Sequence, residues 1–154
     1  MHSARLEELG IQLPPVAAPV AAYTPAVRSG NLVFTSGQLP FVEGALPMTG
    51  KVGAEVTAEQ GYDLARIAAL NAVAAVADVV GGIDNIEQIV KVTGFVASAH
   101  NFGGQPGVIN GSSEVLVEIF GDAGIHARAA VGVAELPLDA PVEVEIIVRV
   151  KECS

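Results

Sequence analysis

The segment from Thr57 to Ala97, "TAEQGYDLARIAALNAVAAVADVVGGIDNIEQIVKVTGFVA", contains signals for a long helix and a strand. Thr57 and Gln60 have the spacing of a capping box, in which each side chain accepts a hydrogen bond from the other residue's backbone. They predict a helix from Ala58 to Val80, which ends at Gly81-Gly82 because glycine readily adopts the left-handed conformation of a helix end.

Apolar side chains recur along this helix at the spacing of one broad face, which predicts that it packs flat on a sheet. Asn71 falls within that face and is interpreted as a hydrogen-bonded structural residue rather than a catalytic one. The segment Ile86–Ala97 is rich in β-branched residues and predicts a strand. The stretch therefore combines a long helix with the sheet that it covers.

The residues before this stretch predict shorter elements. Ser3–Leu9 reads as a short helix that Gly10 stops. A Ser-Gly-Asn turn joins two extended runs, one around Ala26 and one at Leu32–Thr35, and predicts a β-hairpin. The glycine-rich segment from Phe41 to Val56 is interpreted as a surface loop.

After Ala97, the sequence "SAHNFGGQPGVINGSS" predicts a glycine-rich loop, and Ser112 or Ser113 is expected to cap a second helix, "SEVLVEIFG". Two further strands, Ala127–Glu135 and Val142–Val150, are expected to pair as a hairpin. The element order β-β-α-β-α-β-β indicates an α+β sandwich with one sheet backed by two helices. We expect one domain over residues 1–154, with residues 1–22 as an N-terminal extension.

Composition narrows the function. The net charge is −9, and the few Lys and Arg residues are scattered, so electrostatics argue against nucleic acid and anionic membranes as partners. The sole cysteine, Cys153, cannot form an internal disulfide, and no uninterrupted apolar core opens the chain, so we expect a cytoplasmic protein. The three histidines show no ligand spacing, and we expect no metal site.

Arg128 lies in the strand "ARAAVGV" among small residues. Strand alternation puts Arg128, Ala130 and Gly132 on one face, which leaves room for a ligand beside the guanidinium. The planar guanidinium can bind a carboxylate with two parallel hydrogen bonds. Two interpretations stay open on these grounds: a ligand's carboxylate, or a structural ion pair with Glu143, Glu145 or a carboxylate of another subunit.

Three motifs carry a resemblance to a known family. "SGQLP" (Ser36–Pro40), "ARAAVGVAELP" (Ala127–Pro137) and "VEVEIIV" (Val142–Val148) resemble, in order and spacing, the signature of the RidA/YjgF family of enamine/imine deaminases. Tyr23 occupies the place of that family's tyrosine before its first hairpin, and Asn110 matches its loop asparagine.

The resemblance implies a chorismate mutase-like fold of the small trimeric type, with sites in the clefts between the subunits of a homotrimer. It implies hydrolysis of 2-imino acids, the tautomers of reactive enamines, to 2-oxo acids and ammonia without a cofactor. This chain departs from the family's pattern at Ala130, where many relatives have cysteine, and in a longer loop before Asn110. A thiol therefore cannot be essential if the protein is active.

The resemblance also implies roles for individual residues. Arg128 binds the substrate carboxylate, and Glu143 orients or deprotonates the attacking water. The backbone around Ala130 contacts the imine. Strand alternation places Glu145 on the same face as Glu143, so Glu145 competes for the water-binding role. The remaining residues implied to line the pocket are Tyr23, Ser36, Gly37 and Asn110.

In the expected hairpin, Arg128 would lie opposite roughly Val148, on the order of 16 Å from Glu143. We therefore expect the two side chains of one site to come from different subunits, unless a bulge shifts the register. Two alternative functions remain at this point. One is a non-catalytic or chaperone-like protein that holds a small carboxylate in the same cleft. The other is an endoribonuclease, against which the charge and the absence of a histidine pair argue.

Overall fold

The computed structural model describes residues 1–16 and 22–152. Its helices are α1 (His2–Leu9), α2 (Ala58–Val80) and α3 (Gln105–Phe120), and its strands are β1 (Ala26–Ser29), β2 (Leu32–Thr35), β3 (Ile86–Ala97), β4 (Ala127–Val133) and β5 (Val142–Val150). The strands form one mixed sheet in the order β1-β2-β5-β3-β4. The expected α+β architecture is confirmed.

The segment Thr57–Ala97 adopts the predicted helix and strand. Thr57 and Gln60 close the capping box in both directions, and Gly81 ends α2 in the left-handed conformation with φ 81°. Asn71 is only 4% exposed, and its amide nitrogen donates hydrogen bonds to the carbonyl oxygens of Leu39 and Phe41 at 3.0 and 3.1 Å. It therefore has the structural role that was expected.

The expected hairpin of β4 and β5 is wrong. β4 pairs in parallel with β3, and β5 pairs antiparallel with β3 on its other side. Parallel strands need a long crossover connection, and α3 supplies it between β3 and β4. The segment 134–141 then passes the end of β3 to reach β5, with Leu138 and Asp139 at positive φ.

The second helix is longer than expected, since α3 begins at Gln105 and not after Ser112 or Ser113. Gly111 lies at the crossing with α2, where a Cβ atom would overlap the backbone carbonyl oxygen of Tyr62. The hydroxyl of Ser112 donates a hydrogen bond of 2.6 Å to the carbonyl oxygen of Ala65 at the same crossing. Small residues thus allow the two helices to pack closely.

The helices cover one face of the sheet. α2 packs over β1, β2 and β5, and α3 packs over β3 and β4. The residues of the central strands that face these helices are fully or almost fully buried: Val33, Val92, Val96, Val142, Val144, Ile146 and Val148. α1 packs against α3 and the turn before β3. No helix in the described part of the chain is long and apolar enough to cross a membrane.

The opposite face of the sheet, which we call the open face, carries the alternate residues of the same strands. Strand pairing places these side chains beside one another in rows: Val27, Phe34 and Ile147; Glu145, Thr93 and Ala129; Glu143, Phe95 and Val131. Val27, Phe34 and Val131 are 53, 42 and 44% exposed, so this face presents large apolar side chains that none of the three described helices covers.

Candidate functional site

The residues expected at the site separate into two groups on opposite faces of the sheet. Arg128 pairs with Val92 of β3, a fully buried residue that faces the helices. Glu143 pairs with Phe95, three positions along β3 and therefore on the open face. The fold brings Asn110 to Arg128 and Gly37 to Glu143, but it does not bring the two charged residues together.

Arg128 is half-buried beneath α3, and its guanidinium is held from that helix. Its Nη1 atom donates hydrogen bonds to Oδ1 of Asn110 at 2.8 Å and to Oγ of Ser113 at 3.2 Å. Asn110 lies in α3 rather than in the expected loop. Within residues 1–16 and 22–152, Arg128 forms no ion pair, so the intramolecular pairing with Glu143 or Glu145 is not formed.

Part of the room expected beside Arg128 is filled by neighbouring side chains. Ala130 is half-buried against the core, next to Gly94 of β3. At Gly132 a Cβ atom would stand 2.7 Å from Nε2 of Gln105 and 3.0 Å from Oγ of Ser98, so those side chains occupy that end of the strand. β4 is an edge strand, and its outward backbone groups around Ala130 face away from β3.

Glu143 stands on the open face at the end of β2. Its carboxyl group lies over Gly37, where a Cβ atom would be 2.6 Å from Cδ and 2.8 Å from Oε1 of Glu143. Backbone hydrogen bonds between Gln38 and Val144 of 2.8 and 3.0 Å fix this approach. The carboxyl group of Glu143 can occupy this position because Gly37 has no side chain.

The electrostatics of Glu143 favour the protonated form. Burial, and secondly the negative charge of Glu145, raise the pKa of the Glu143 carboxyl above its ordinary value. Neither glutamate takes part in an ion pair among the described residues. A raised pKa makes the Glu143 carboxylate a stronger base than an ordinary glutamate.

Tyr23 and Ser36 are associated with the group formed by Glu143 and Gly37. Ser36 directly precedes Gly37, and it is hydrogen-bonded to the segment that follows Tyr23. The hydroxyl of Ser36 donates a hydrogen bond of 2.7 Å to the carbonyl oxygen of Thr24, and its backbone N–H donates one of 2.8 Å to Pro25. These bonds hold the segment that contains Tyr23, whose side chain is 49% exposed. Tyr23 is thus available to a ligand or to another subunit.

Two polar residues beside Arg128 were missed by the sequence analysis. Ser113 was expected only as a helix cap, and His126 was considered only as a metal ligand. The Oγ of Ser113 lies 2.9 Å from Nε2 of His126, and Nδ1 of His126 lies 2.6 Å from the carbonyl oxygen of Gly124. The signal that could have found them is spacing: His126 precedes Arg128 by two residues, and Asn110 and Ser113 are three apart in a helix.

Comparison with known proteins agrees with this fold. The family model described as "YjgF/chorismate mutase-like, putative endoribonuclease" matches residues 3–149. A solved structure of the protein Atu1372 of unknown function from Agrobacterium tumefaciens shares 42% identity, with a TM-score of 0.89, over 97% of this chain and 92% of that one.

Two further relatives carry functional descriptions. The 2-iminobutanoate/2-iminopropanoate deaminase of Escherichia coli is 32% identical over 84% of this chain and 88% of its own. The structure of Escherichia coli TdcF with bound serine is 26% identical, with a TM-score of 0.65, over 90% of this chain and 94% of that one. The chain belongs to the RidA/YjgF family and has its chorismate mutase-like fold.

Proposed function

We propose that this protein hydrolyses reactive 2-imino acids to 2-oxo acids and ammonia, at sites that form between the subunits of a homotrimer and need no cofactor. The proposal rests on the hydrogen bonds that the Arg128 guanidinium makes and on the donors that it leaves open. Asn110 and Ser113 engage only its Nη1 atom, and among the described residues nothing binds Nε or Nη2. That free edge matches the two oxygens of a carboxylate.

Glu143 is the second part of the proposal. As a general base it accepts a proton from water while the water oxygen bonds to the imine carbon. It then returns this proton to the nitrogen and accepts the remaining hydroxyl proton of the intermediate, so that the C=O bond of the 2-oxo acid forms as the C–N bond breaks and ammonia leaves. Glu143 finally releases that second proton to ammonia or solvent. A protonated imine is already electrophilic, so positioning the water and the carboxylate supplies most of what the reaction needs.

The open face supports assembly with further copies of the chain. Exposed Val27, Phe34 and Val131 lie there around Glu143 and Glu145, and apolar patches of this kind are typical of interfaces. In the proposed trimer the open faces pack around a threefold axis, and the edge strand β4 lies at the subunit boundary, where its Arg128 meets Glu143 of a neighbour. Tyr23 and Ser36 would then line the cleft beside Glu143, and the backbone around Ala130 would lie beside Arg128.

The names of relatives support this reaction over others. An Escherichia coli relative is named as a 2-iminobutanoate/2-iminopropanoate deaminase, and TdcF was solved with serine, an amino acid that carries a carboxylate. RNA cleavage, which the family description mentions, fits this chain less well because its net charge of −9 repels a phosphate backbone.

The test generates an imine in place, with an amino-acid oxidase and its substrate, and follows imine loss with and without the protein. We expect the wild type to accelerate the loss, Arg128→Ala to abolish the acceleration and Arg128→Lys to retain part of it, because lysine offers a charge without the planar pair of donors. No acceleration by the wild type, or equal acceleration by Arg128→Ala, would contradict the proposal. Binding of pyruvate without acceleration would favour the non-catalytic carboxylate-binding function instead.

A further inference from the structure

A single chain of hydrogen bonds runs from the backbone of Gly124 to the candidate carboxylate-binding arginine. It passes from the Gly124 carbonyl oxygen to His126 at 2.6 Å, from His126 to Ser113 at 2.9 Å, and from Ser113 to Nη1 of Arg128 at 3.2 Å. The same Nη1 atom also reaches Asn110 at 2.8 Å. These contacts join the middle of α3, the turn that follows it and the arginine at the start of β4.

Only one arrangement of protons satisfies this chain with a neutral imidazole. The Gly124 carbonyl oxygen can only accept, so Nδ1 of His126 carries the hydrogen and Nε2 is the acceptor. The hydroxyl of Ser113 then donates its single hydrogen to Nε2. Its oxygen therefore turns a lone pair towards Arg128, which can only donate.

We infer that His126 and Ser113 are positioning residues, which fix the guanidinium of Arg128 so that its Nε and Nη2 atoms stay directed to the substrate carboxylate. The inference rests on the proposed function and deepens it. Without an acceptor at residue 126, the hydroxyl of Ser113 could rotate its hydrogen towards Nη1, and two donors would then face each other. The guanidinium would lose one of its two restraints and sample other rotamers.

Two substitutions of His126 separate its two hydrogen bonds. His126→Gln places an amide oxygen near the position of Nε2, so it keeps an acceptor for Ser113 but loses the bond to Gly124. His126→Asn places an amide near the position of Nδ1, so it keeps the bond to Gly124 but leaves Ser113 without its acceptor. We expect His126→Asn to raise KM for 2-iminobutanoate about tenfold with kcat within about twofold of wild type, and His126→Gln to restore KM.

Ser113 has a matched control in the neighbouring residue. Ser113→Ala removes the link to Arg128 and is expected to raise KM like His126→Asn. Ser112→Ala removes a buried hydrogen bond to Ala65 on the same helix and is expected to lower thermal stability while KM stays unchanged. A rise of KM in Ser112→Ala as large as that in Ser113→Ala would show that general loosening of α3 controls the arginine. The hydrogen-bond chain from Gly124 through His126 and Ser113, which we call the relay, would then not control it.

Two further readouts make the inference independent of catalysis. Pyruvate binding, measured by calorimetry, is expected to weaken about tenfold in Ser113→Ala and His126→Asn and to recover in His126→Gln. The 15N signals of the Arg128 Nη atoms are expected to be separate in the wild type and averaged in His126→Asn, because the relay restricts rotation about Nε–Cζ.

If Arg128→Ala loses pyruvate binding while His126→Asn and Ser113→Ala bind pyruvate like the wild type, the relay is wrong and the role of Arg128 stands. If the wild type binds pyruvate through this relay but does not hydrolyse imines, the proposed reaction fails alone.

Discussion

Arg128 and Glu143 lie on opposite faces of one sheet, on the two strands that flank β3. Arg128 pairs with Val92 and Glu143 with Phe95. Their Cα atoms are two strand spacings of about 4.8 Å apart across the sheet and three residues of about 3.3 Å apart along it, which gives a distance of about 14 Å. The two side chains point away from each other. The expected β4–β5 hairpin is not formed, but the observed register on β3 also keeps Arg128 and Glu143 far apart. A single chain cannot apply both side chains to one small molecule.

Mixing two inactive variants tests whether the site joins subunits. We expect Arg128→Ala and Glu143→Gln each to lose activity alone. When they are unfolded and refolded together in equal amounts, about a quarter of the sites in a cyclic trimer should receive an intact arginine and an intact glutamate from neighbouring subunits. Activity of the mixture is measured against each variant refolded alone. Failure of the mixture to recover activity, with trimers confirmed by light scattering, would contradict a shared site.

The pH profile distinguishes the two glutamates of the open face. If Glu143 is the general base, activity is expected to rise as pH increases through its pKa, which burial and Glu145 hold above the ordinary value. Glu145→Gln removes the repulsive charge, so the rise should move to lower pH with the maximal rate nearly unchanged. Glu143→Gln should lower kcat about 100-fold or more. If instead Glu145→Gln abolishes activity and Glu143→Gln only shifts the profile, then Glu145 is the base.

The same raised pKa predicts a stability effect of opposite sign to the activity effect. The folded chain holds a proton on Glu143 more tightly than the unfolded chain does, so stability falls as pH rises through the folded pKa. Glu143→Gln should therefore raise the midpoint of thermal unfolding at neutral pH, and the gain should vanish in acid, where both states carry the proton. Calorimetry at several pH values measures this. An unchanged or lower midpoint at neutral pH would contradict the assigned cause.

Gly37→Ala tests whether activity requires the carboxyl group of Glu143 to lie over residue 37. The new methyl group would stand 2.6 Å from Cδ of Glu143, and the long side chain can move away while the backbone stays. We expect a folded protein whose kcat falls about 100-fold, since a displacement of about 1 Å can cost that much. Gly103→Ala, where no atom lies within 4 Å of the new group, is the control. Full activity of Gly37→Ala would contradict a role in the reaction for the Glu143 carboxyl group at this position.

Gly111→Ala tests the helix crossing that positions Asn110 and Ser113. Its methyl group would overlap the backbone of Tyr62, which cannot move as a side chain can, so we expect the free energy of unfolding to fall by about 1–3 kcal/mol. Gly107→Ala lies in the same helix with no atom within 4 Å, and it should gain about 0.5–1 kcal/mol from helix propensity. Urea unfolding at one protein concentration compares them. Equal stability of both variants would show that α2 and α3 can separate without cost.

Local signals in the sequence predicted α2 and β3 with their observed bounds. The capping box at Thr57, the glycine pair after Val80 and the β-branched run of β3 each act within a few residues, so no distant contact is needed to interpret them. The start of α3 was missed because its glycines resemble a loop. Gly111 is instead required by the neighbouring helix, which is a contact that a linear pattern does not contain.

Which side chains share a face of a strand can be read directly from the sequence. The strand period of two groups Arg128 with Ala130, and Glu143 with Glu145, whatever the strands pair with. The pattern does not say which face is covered. In the folded chain the arginine faces α3, beside Asn110, Ser113 and His126, and the glutamates face the uncovered side of the sheet. The physical reason is that alternation is a local property of the backbone, whereas strand order and the covered face depend on α3 carrying β4 to the far edge of β3.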